Sequence, residues 1–185
     1  QEIDITHPAF RFHAERVIRR VVDRFADHPA VIGYQVDNEP GALLPHNRGA
    51  FAAFVDDLRR TYGDVETLNR EWGLVYWSHR LSDFAELWAP DGNLQPQYAL
   101  AWRRFQACLV DEFIGWQAGI VREYARPEQF VTTCIAFDRP AMNEATVTGG
   151  LDVAAANAYF GAQDHLDLAR ELPAPDHWVR TGVHG

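Results

Sequence analysis

Residues 31–40 read VIGYQVDNEP, and this stretch decides the fold. Apolar residues dominate it as far as Val36, and regular structure is interrupted by a His-Pro pair before it and by the Pro-Gly pair at its end. A short apolar run between such breakers is typical of a strand buried on both faces of a parallel sheet. In proteins with such sheets, residues at the carboxyl ends of the strands line the active site. The stretch therefore predicts that Asp37, Asn38 and Glu39 are presented together at that edge.

Apolar spacings on either side of this strand predict an alternation of helices and short strands. Spacings of three and four predict helices over residues 8–26, 49–62, 64–72, 96–124 and 164–172. Apolar and β-branched runs predict strands over 130–135, 152–157 and 177–180, while 75–94 is irregular and rich in aromatic residues. This alternation indicates an α/β fold with parallel strands.

The number of strands limits the architecture. The sequence supplies about four, whereas a closed (β/α)8 barrel needs about eight. An open sheet and a part of a barrel both fit this pattern. The chain begins on a helix with no strand before it and ends soon after a strand, which favours the part of a barrel.

Local signals predict how the helices begin, end and pack. Thr6 is the predicted N-cap of the first helix, and Asp64 is the predicted N-cap of the short helix that Gly73 ends. The first helix also carries an apolar stripe that is predicted to face the core, formed by Phe10, Ala14, Val17, Val21 and Phe25.

Composition and charge exclude several classes of function. The 185 residues form one predicted domain, 1–185, with 26 acidic residues against 17 arginines and a net charge of −9. Such an acidic surface repels phosphate backbones, so nucleic acid is not an expected partner. Lysine is absent, which rules out Schiff-base chemistry and a P-loop lysine within this chain. No apolar run reaches the ~18 residues of a membrane span, and no membrane association is expected.

The cysteines and histidines do not predict a metal site. Cys108 and Cys134 are too few for a disulfide framework or a four-cysteine zinc site, and both are predicted to be buried, reduced thiols. The histidines, His46 among them, lack ligand spacing and are expected to be exposed or to cap helices. We predict no metal and no cofactor. No targeting segment is visible after Gln1, so the compartment stays open, with the cytoplasm as our expectation.

Glu39 is the strongest candidate for a catalytic group. Low-dielectric surroundings raise the pKa of a carboxyl group, which can then hold a proton near neutral pH and donate it to a leaving oxygen. Asn38 beside it offers an amide that suits a sugar hydroxyl. From spacing alone, the alternative that this Asn-Glu pair only caps a loop stays open.

Residues 28–41, HPAVIGYQVDNEPG, resemble the acid/base segment of glycoside hydrolase family 42 β-galactosidases. Similar motifs follow in the same order along nearly the whole chain, which makes the resemblance specific. They are Tyr62-Gly63, Leu68-Asn69-Arg70, Trp72-Gly73, Trp77-Ser78, Arg103-Arg104-Phe105, Val131-Thr132-Thr133, Leu151-Asp152-Val153 and Asn157-Ala158-Tyr159.

The resemblance implies a TIM (β/α)8 barrel, of which this chain would form roughly strands 4 to 7 with the intervening helices. It implies hydrolysis of terminal β-D-galactosides by a retaining double displacement, with Glu39 as general acid/base. Asn38 would bind the sugar, Trp77 would form an aromatic wall of its pocket and Tyr159 would line it. For the two aromatic residues, a place in the core is the alternative. A β-galactoside or related oligosaccharide is the expected ligand, and a homo-oligomer is expected because family members are often trimers.

The sequence departs from the family at the second carboxylate. A retaining glycosidase needs a nucleophile ~5–5.5 Å from the acid/base, and the resemblance places it where this chain has Thr181. Threonine cannot form the usual glycosyl ester, so the nucleophile lies beyond these residues or the last stretch has diverged. We therefore expect the chain alone to be inactive. A catalytically silent carbohydrate-binding or scaffold barrel is the alternative, and a related barrel family acting on another sugar is a third reading. The family's cysteine zinc cluster is not expected because residues 40–49 contain no cysteine.

Overall fold

Helices alternate with short strands along the chain. The computed structural model describes residues 3–42, 46–88, 90, 95–136, 139, 141–157 and 178–181, the last range and Trp77 through the backbone alone. Two 3₁₀ turns, Tyr76–Ser78 and Phe84–Glu86, lie in the segment predicted to be irregular. The helices and strands are α1 (Pro8–Phe25), β1 (Gly33–Gln35), α2 (Arg48–Tyr62), α3 (Val65–Trp72), α4 (Pro96–Arg122), β2 (Phe130–Ile135), α5 (Glu144–Val147), β3 (Val153–Asn157) and β4 (Trp178–Thr181).

The four described strands form one parallel sheet in the order β1-β2-β3-β4. Gly33 lies opposite Phe130 in the first pair, and Asn157 lies opposite Thr181 in the last. Because the strands are parallel, their carboxyl ends share one edge of the sheet. The predicted α/β fold with parallel strands is confirmed. The assignment to barrel strands 4 to 7 stays a prediction, and the helix predicted over 164–172 lies outside the described residues.

Two apolar clusters hold the elements together, and α4 contributes to both. The first joins α1, α4 and the sheet around Val22, Ile114 and Val131. The second joins α2, α3 and the first half of α4 around Phe54 and Trp102. Each fully buried side chain of this size contributes about 1.5–3 kcal/mol. The sheet edge that carries polar residues is thus attached to a packed scaffold.

The apolar stripe of α1 was predicted to face the core, but much of it is exposed. Val17, Val21 and Phe25 are 62%, 49% and 45% exposed. The side of α1 that packs on the core instead carries Ile18 and Val22. Apolar residues occupy two sides of this helix, and α4 with the core around it covers only one of them. The prediction that the whole stripe faces the core is therefore wrong.

The helix caps follow the predictions in α3 but not in α1. The side chain of Asp64 accepts a hydrogen bond from the Thr67 amide at 2.8 Å, which holds the pKa of Asp64 below its usual range. Gly73 ends α3 in the left-handed conformation. In α1 the N-cap is His7, whose Nδ1 accepts from the Ala9 amide, because Asp4 binds the Thr6 hydroxyl at 2.6 Å. Among the described helices, none has the length and apolar character needed to cross a bilayer.

Candidate active site

The loop that follows β1 is held against β2 in an uncommon backbone conformation. Asp37 and Glu39 have φ angles of 57° and 49°, a region that costs a non-glycine residue about 1–2 kcal/mol. Two backbone hydrogen bonds to β2 hold the loop, from Val36 to Thr132 at 2.8 Å and from Glu39 to Cys134 at 3.0 Å. Backbone strain of this kind persists only where the surroundings fix it, and it often marks a functional site.

Among the described residues, two side chains bind the Glu39 carboxylate, one from the loop after β2 and one from the end of β3. Its Oε2 accepts a hydrogen bond from the Arg139 guanidinium at 2.5 Å, and its Oε1 accepts one from the Asn157 amide. The side chain is 19% exposed, so the ion pair is largely shielded from solvent. A nearby positive charge and hydrogen-bond donors both favour the ionised form of a carboxyl group. The sequence predicted that Glu39 is shielded from solvent, but it did not predict the positive charge of Arg139 beside the carboxylate.

Asn157, at the end of β3, is oriented by a residue of β2. The buried thiol of Cys134 donates to Asn157 Oδ1 at 2.8 Å, and the other end of that amide donates to Glu39. The carboxyl ends of three successive strands therefore meet at one carboxylate. A rigid arrangement of this kind is what a reacting group requires.

Asn38 lies at the exposed rim beside Glu39. Its backbone amide donates to Asp37 Oδ1 at 2.7 Å, while its own Oδ1 accepts a longer bond of 3.4 Å from Gln35. Gln35 also donates to the Asp37 carbonyl at 3.0 Å. These bonds stabilise the turn and leave the Asn38 side chain facing solvent next to the carboxylate.

A cleft of about 680 Å³ borders this loop. Residues 37–42 form one side, including Asn38 and Glu39, and apolar side chains of α1 and α4 such as Phe10 and Phe113 form the other. This volume is within the usual range for a small-molecule site. Glu39 is thus at the border of a space that a ligand can enter.

The structure places some of the predicted site residues together and leaves others outside the described part. Glu39 and Asn38 lie at the carboxyl end of β1 as predicted, and Thr181 ends β4 at the same edge of the sheet. Trp77 lies in a 3₁₀ turn, and its side chain is outside the described part. Tyr159 is also outside it. The roles of Trp77 and Tyr159 stay predictions.

Sequence reasoning missed Arg139 and Asn157, which both donate a hydrogen bond to Glu39. A signal for Asn157 was available, because it ends a predicted strand and the rule that selected Glu39 applies there too. Arg139 follows β2 by a few residues in a loop, and no local pattern distinguishes it from the other arginines.

Within the described ranges, no group of three His, Cys, Asp or Glu side chains is arranged to hold a metal ion. His7 and His28 accept hydrogen bonds from nearby backbone amides, and His46 is exposed, as expected. The prediction for the cysteines is half wrong. Cys134 is buried but Cys108 is exposed, because it lies on the outer face of α4.

Known proteins are similar to this chain over most of its length. The model of glycoside hydrolase family 42, described as β-galactosidase, matches residues 1–178. A β-galactosidase of Clostridium cellulovorans is 28% identical over 192 residues, which cover 96% of this chain and 29% of that protein. A β-galactosidase of Halorubrum lacusprofundi is 34% identical over 157 residues, which cover 82% of this chain and 22% of that protein. The chain thus spans about a quarter of the length of these relatives.

Solved structures show the same similarity in three dimensions. The β-galactosidase of Halorubrum lacusprofundi aligns with a TM-score of 0.77 and 31% identity over 86% of this chain and 25% of its own. That of the psychrophilic Marinomonas ef1 aligns with a TM-score of 0.76 and 29% identity over 84% of this chain and 24% of its own. Since the family model matches nearly the whole chain and the fold agrees, this chain belongs to glycoside hydrolase family 42.

Proposed function

We propose that this chain supplies the general acid/base half of an active site that hydrolyses terminal β-D-galactosides. The observation that supports this most directly is the position of Glu39. It lies at the carboxyl end of a buried parallel strand, beside a cleft, and Arg139 and Asn157 bind its carboxylate. The alternative that the Asn-Glu pair only caps a loop would not require such convergent contacts.

The proposed reaction is a retaining double displacement. In the first step, Glu39 gives its proton to the glycosidic oxygen while a second carboxylate attacks the anomeric carbon and forms a glycosyl ester. In the second step, ionised Glu39 takes a proton from water, which attacks the same carbon and releases the carboxylate. The contacts with Arg139 and Asn157 match the ionised state that the second step uses. Protonation for the first step requires that the Arg139 contact lengthen.

The other predicted residues have binding roles in this proposal. Asn38 hydrogen-bonds a sugar hydroxyl, and Trp77 and Tyr159 pack against the apolar face of the pyranose ring. Residues 1–185 form a part of the catalytic barrel, roughly strands 4 to 7, and act without a metal or other cofactor. A β-galactoside or related oligosaccharide is the ligand.

A second candidate function is a catalytically silent barrel that binds carbohydrate. It is favoured by one observation, that β4 ends on Thr181 at the edge of the sheet where the resemblance places the nucleophile. In that case a galactoside would bind near Glu39 and would not be cleaved.

Replacement of Glu39 by Gln tests the proposal because it removes the transferable proton and keeps the shape. In a catalytically active polypeptide that contains this chain, we expect Glu39→Gln to lower kcat on an alkyl β-galactoside by about 10²–10⁴-fold. The loss in kcat/KM, which reports the first step, should be smaller with a nitrophenyl leaving group because that group needs less protonation. Turnover is followed by galactose release, and a parallel series of β-glucosides tests the choice of sugar.

The matched control is Glu71→Gln, which makes the same change on the exposed side of α3 and should leave kcat unchanged. We expect the 185-residue chain alone to show no turnover. Turnover by the chain alone that Glu39→Gln abolishes would contradict the claim that the nucleophile lies elsewhere. Binding of galactose without turnover by any longer polypeptide would favour the silent barrel.

A further inference from the structure

We propose that Cys134 is a positioning residue for Glu39, acting through the side-chain amide of Asn157. This deepens the proposed function and rests on it for its catalytic consequence. The geometric claim does not depend on the proposed function. The thiol of Cys134 fixes which end of the Asn157 amide faces the carboxylate.

The contacts form a chain of two hydrogen bonds. Cys134 Sγ donates to Asn157 Oδ1 at 2.8 Å, and Asn157 Nδ2 donates to Glu39 Oε1. An asparagine amide has a donating end and an accepting end of nearly the same shape, so packing alone does not select its orientation. A donor at Oδ1 does select it. Ionised Glu39, which only accepts, favours the same orientation, and the thiol keeps the NH₂ group toward Glu39 when Glu39 is protonated as well.

The environment makes this selection effective. Cys134 and Asn157 are 3% and 8% exposed, and in such surroundings a hydrogen bond competes little with water. If the amide turned over, its oxygen would face the Glu39 carboxylate and repel it. The backbone of Cys134 also contacts Glu39, because its carbonyl oxygen accepts a hydrogen bond from the Glu39 amide at 3.0 Å. Cys134 therefore contacts the acid/base loop directly and orients the side chain that binds its carboxylate.

The geometric claim is tested on the ¹⁵N-labelled 185-residue chain. The Asn157 side-chain NH₂ resonances are assigned by their loss in Asn157→Asp. In the wild-type chain we expect these resonances to change with pH as Glu39 titrates, and Glu39→Gln should abolish the change. Cys134→Ala should abolish it as well, whereas Cys134→Ser, which keeps an O–H donor, should restore it. Cys134→Val replaces the Ala variant if the latter loses its dispersed amide spectrum, and Cys108→Ala is the control at the other cysteine.

The catalytic claim is tested in the active polypeptide used for Glu39→Gln. Loss of one hydrogen bond in this chain should lower kcat by about tenfold on Cys134→Ala, with KM nearly unchanged and with recovery in Cys134→Ser. A resonance pair that Cys134→Ala leaves unchanged would overturn the proposal whatever the activity. If Cys134→Ala alters the Asn157 NH₂ resonances but leaves kcat unchanged, the catalytic role of Cys134 is overturned. If the NMR results hold and Glu39→Gln leaves hydrolysis intact, the failure is that of the proposed function and not of the hydrogen-bond chain.

Discussion

Cys108 lies on the exposed face of α4, and two carboxylates influence its thiol. Partial burial raises the pKa of Cys108, and the negative charges of Asp111 and Asp57 raise it further. Asp111→Asn removes one of these charges, so it should lower the pKa of the Cys108 thiol and increase the fraction present as thiolate. We expect alkylation by iodoacetamide to become about two- to threefold faster at pH 7.5, followed by mass spectrometry. The curve of alkylation rate against pH should shift to lower pH in Asp111→Asn.

The control for this experiment is Asp23→Asn, which makes the same charge change on an exposed position of α1. It should leave the rate unchanged. Cys134 is buried, so the labelling should stop at one thiol per chain. Equal rates for the wild-type chain and Asp111→Asn would show that Asp111 does not act on the thiol.

Single residues differ in how far the sequence determines their role. Glu39 was predicted because a strand and its end are local features. The donors that bind it are 100 and 118 residues away along the chain, so their contacts arise only when the parallel strands assemble. The prediction that Cys108 is buried was wrong for a related reason. A cysteine is apolar enough for the core, but its burial depends on which face of α4 meets the other elements.

At the level of elements, two glycines with opposite environments test how the acid/base loop is held. Gly41 has a φ of +76°, and a Cβ there would lie 2.9 Å from the Ala141 carbonyl oxygen. Gly41→Ala should therefore destabilise the chain by about 1–3 kcal/mol. Gly115 lies within α4, where a Cβ meets no atom within 4 Å, and Gly115→Ala should stabilise the chain by about 0.5–1 kcal/mol.

Urea unfolding followed by circular dichroism measures both changes, and the pair controls for the effect of an added methyl group. A stabilised Gly41→Ala would mean that the loop adopts another conformation in solution. In the structure the loop is tied to the segment after β2 by the Ala141 amide, which donates to the Gly41 carbonyl at 3.3 Å. The two substitutions introduce the same methyl group, so the opposite signs of their stability changes come from the different backbone conformations and surroundings of Gly41 and Gly115.

The elements themselves were largely predictable, and their exceptions have physical causes. Helix and strand periodicities depend on neighbouring residues, and the Asp64 and Gly73 caps are local as well. The N-cap of α1 moved from Thr6 to His7 because Asp4 binds the Thr6 hydroxyl. The local pattern indicated Thr6 alone, and it did not reveal that a neighbouring side chain would bind the Thr6 hydroxyl.

For the molecule as a whole, α1 and β1 leave an apolar surface uncovered. Val17, Val21 and Phe25 form a row along α1, and Ile32, just before β1, is 70% exposed. Among the described strands, β1 has a neighbour on one side only. The periodicity of α1 predicted that this row faces the core, and the structure leaves it exposed. Which element covers it cannot be determined from the helix alone, because an apolar face does not specify its partner.

We expect the 185-residue chain to self-associate through this row, since exposed apolar patches of contiguous side chains drive association. Val21→Glu places a charge at the centre of the row, at a position that is 49% exposed and therefore contributes little to the core. It should weaken self-association by about tenfold in sedimentation velocity measurements over a concentration series, because the charge would have to be desolvated in the interface.

Ala52→Glu is the matched control, because it adds the same charge at an exposed position of α2. With a net charge of −9, every added carboxylate increases the repulsion between copies, and the control measures that general effect. Equal weakening by both substitutions would show that total charge, and not the α1 row, governs association. Weakening confined to Val21→Glu, with an unchanged free energy of unfolding, is the result expected if this face meets another apolar surface.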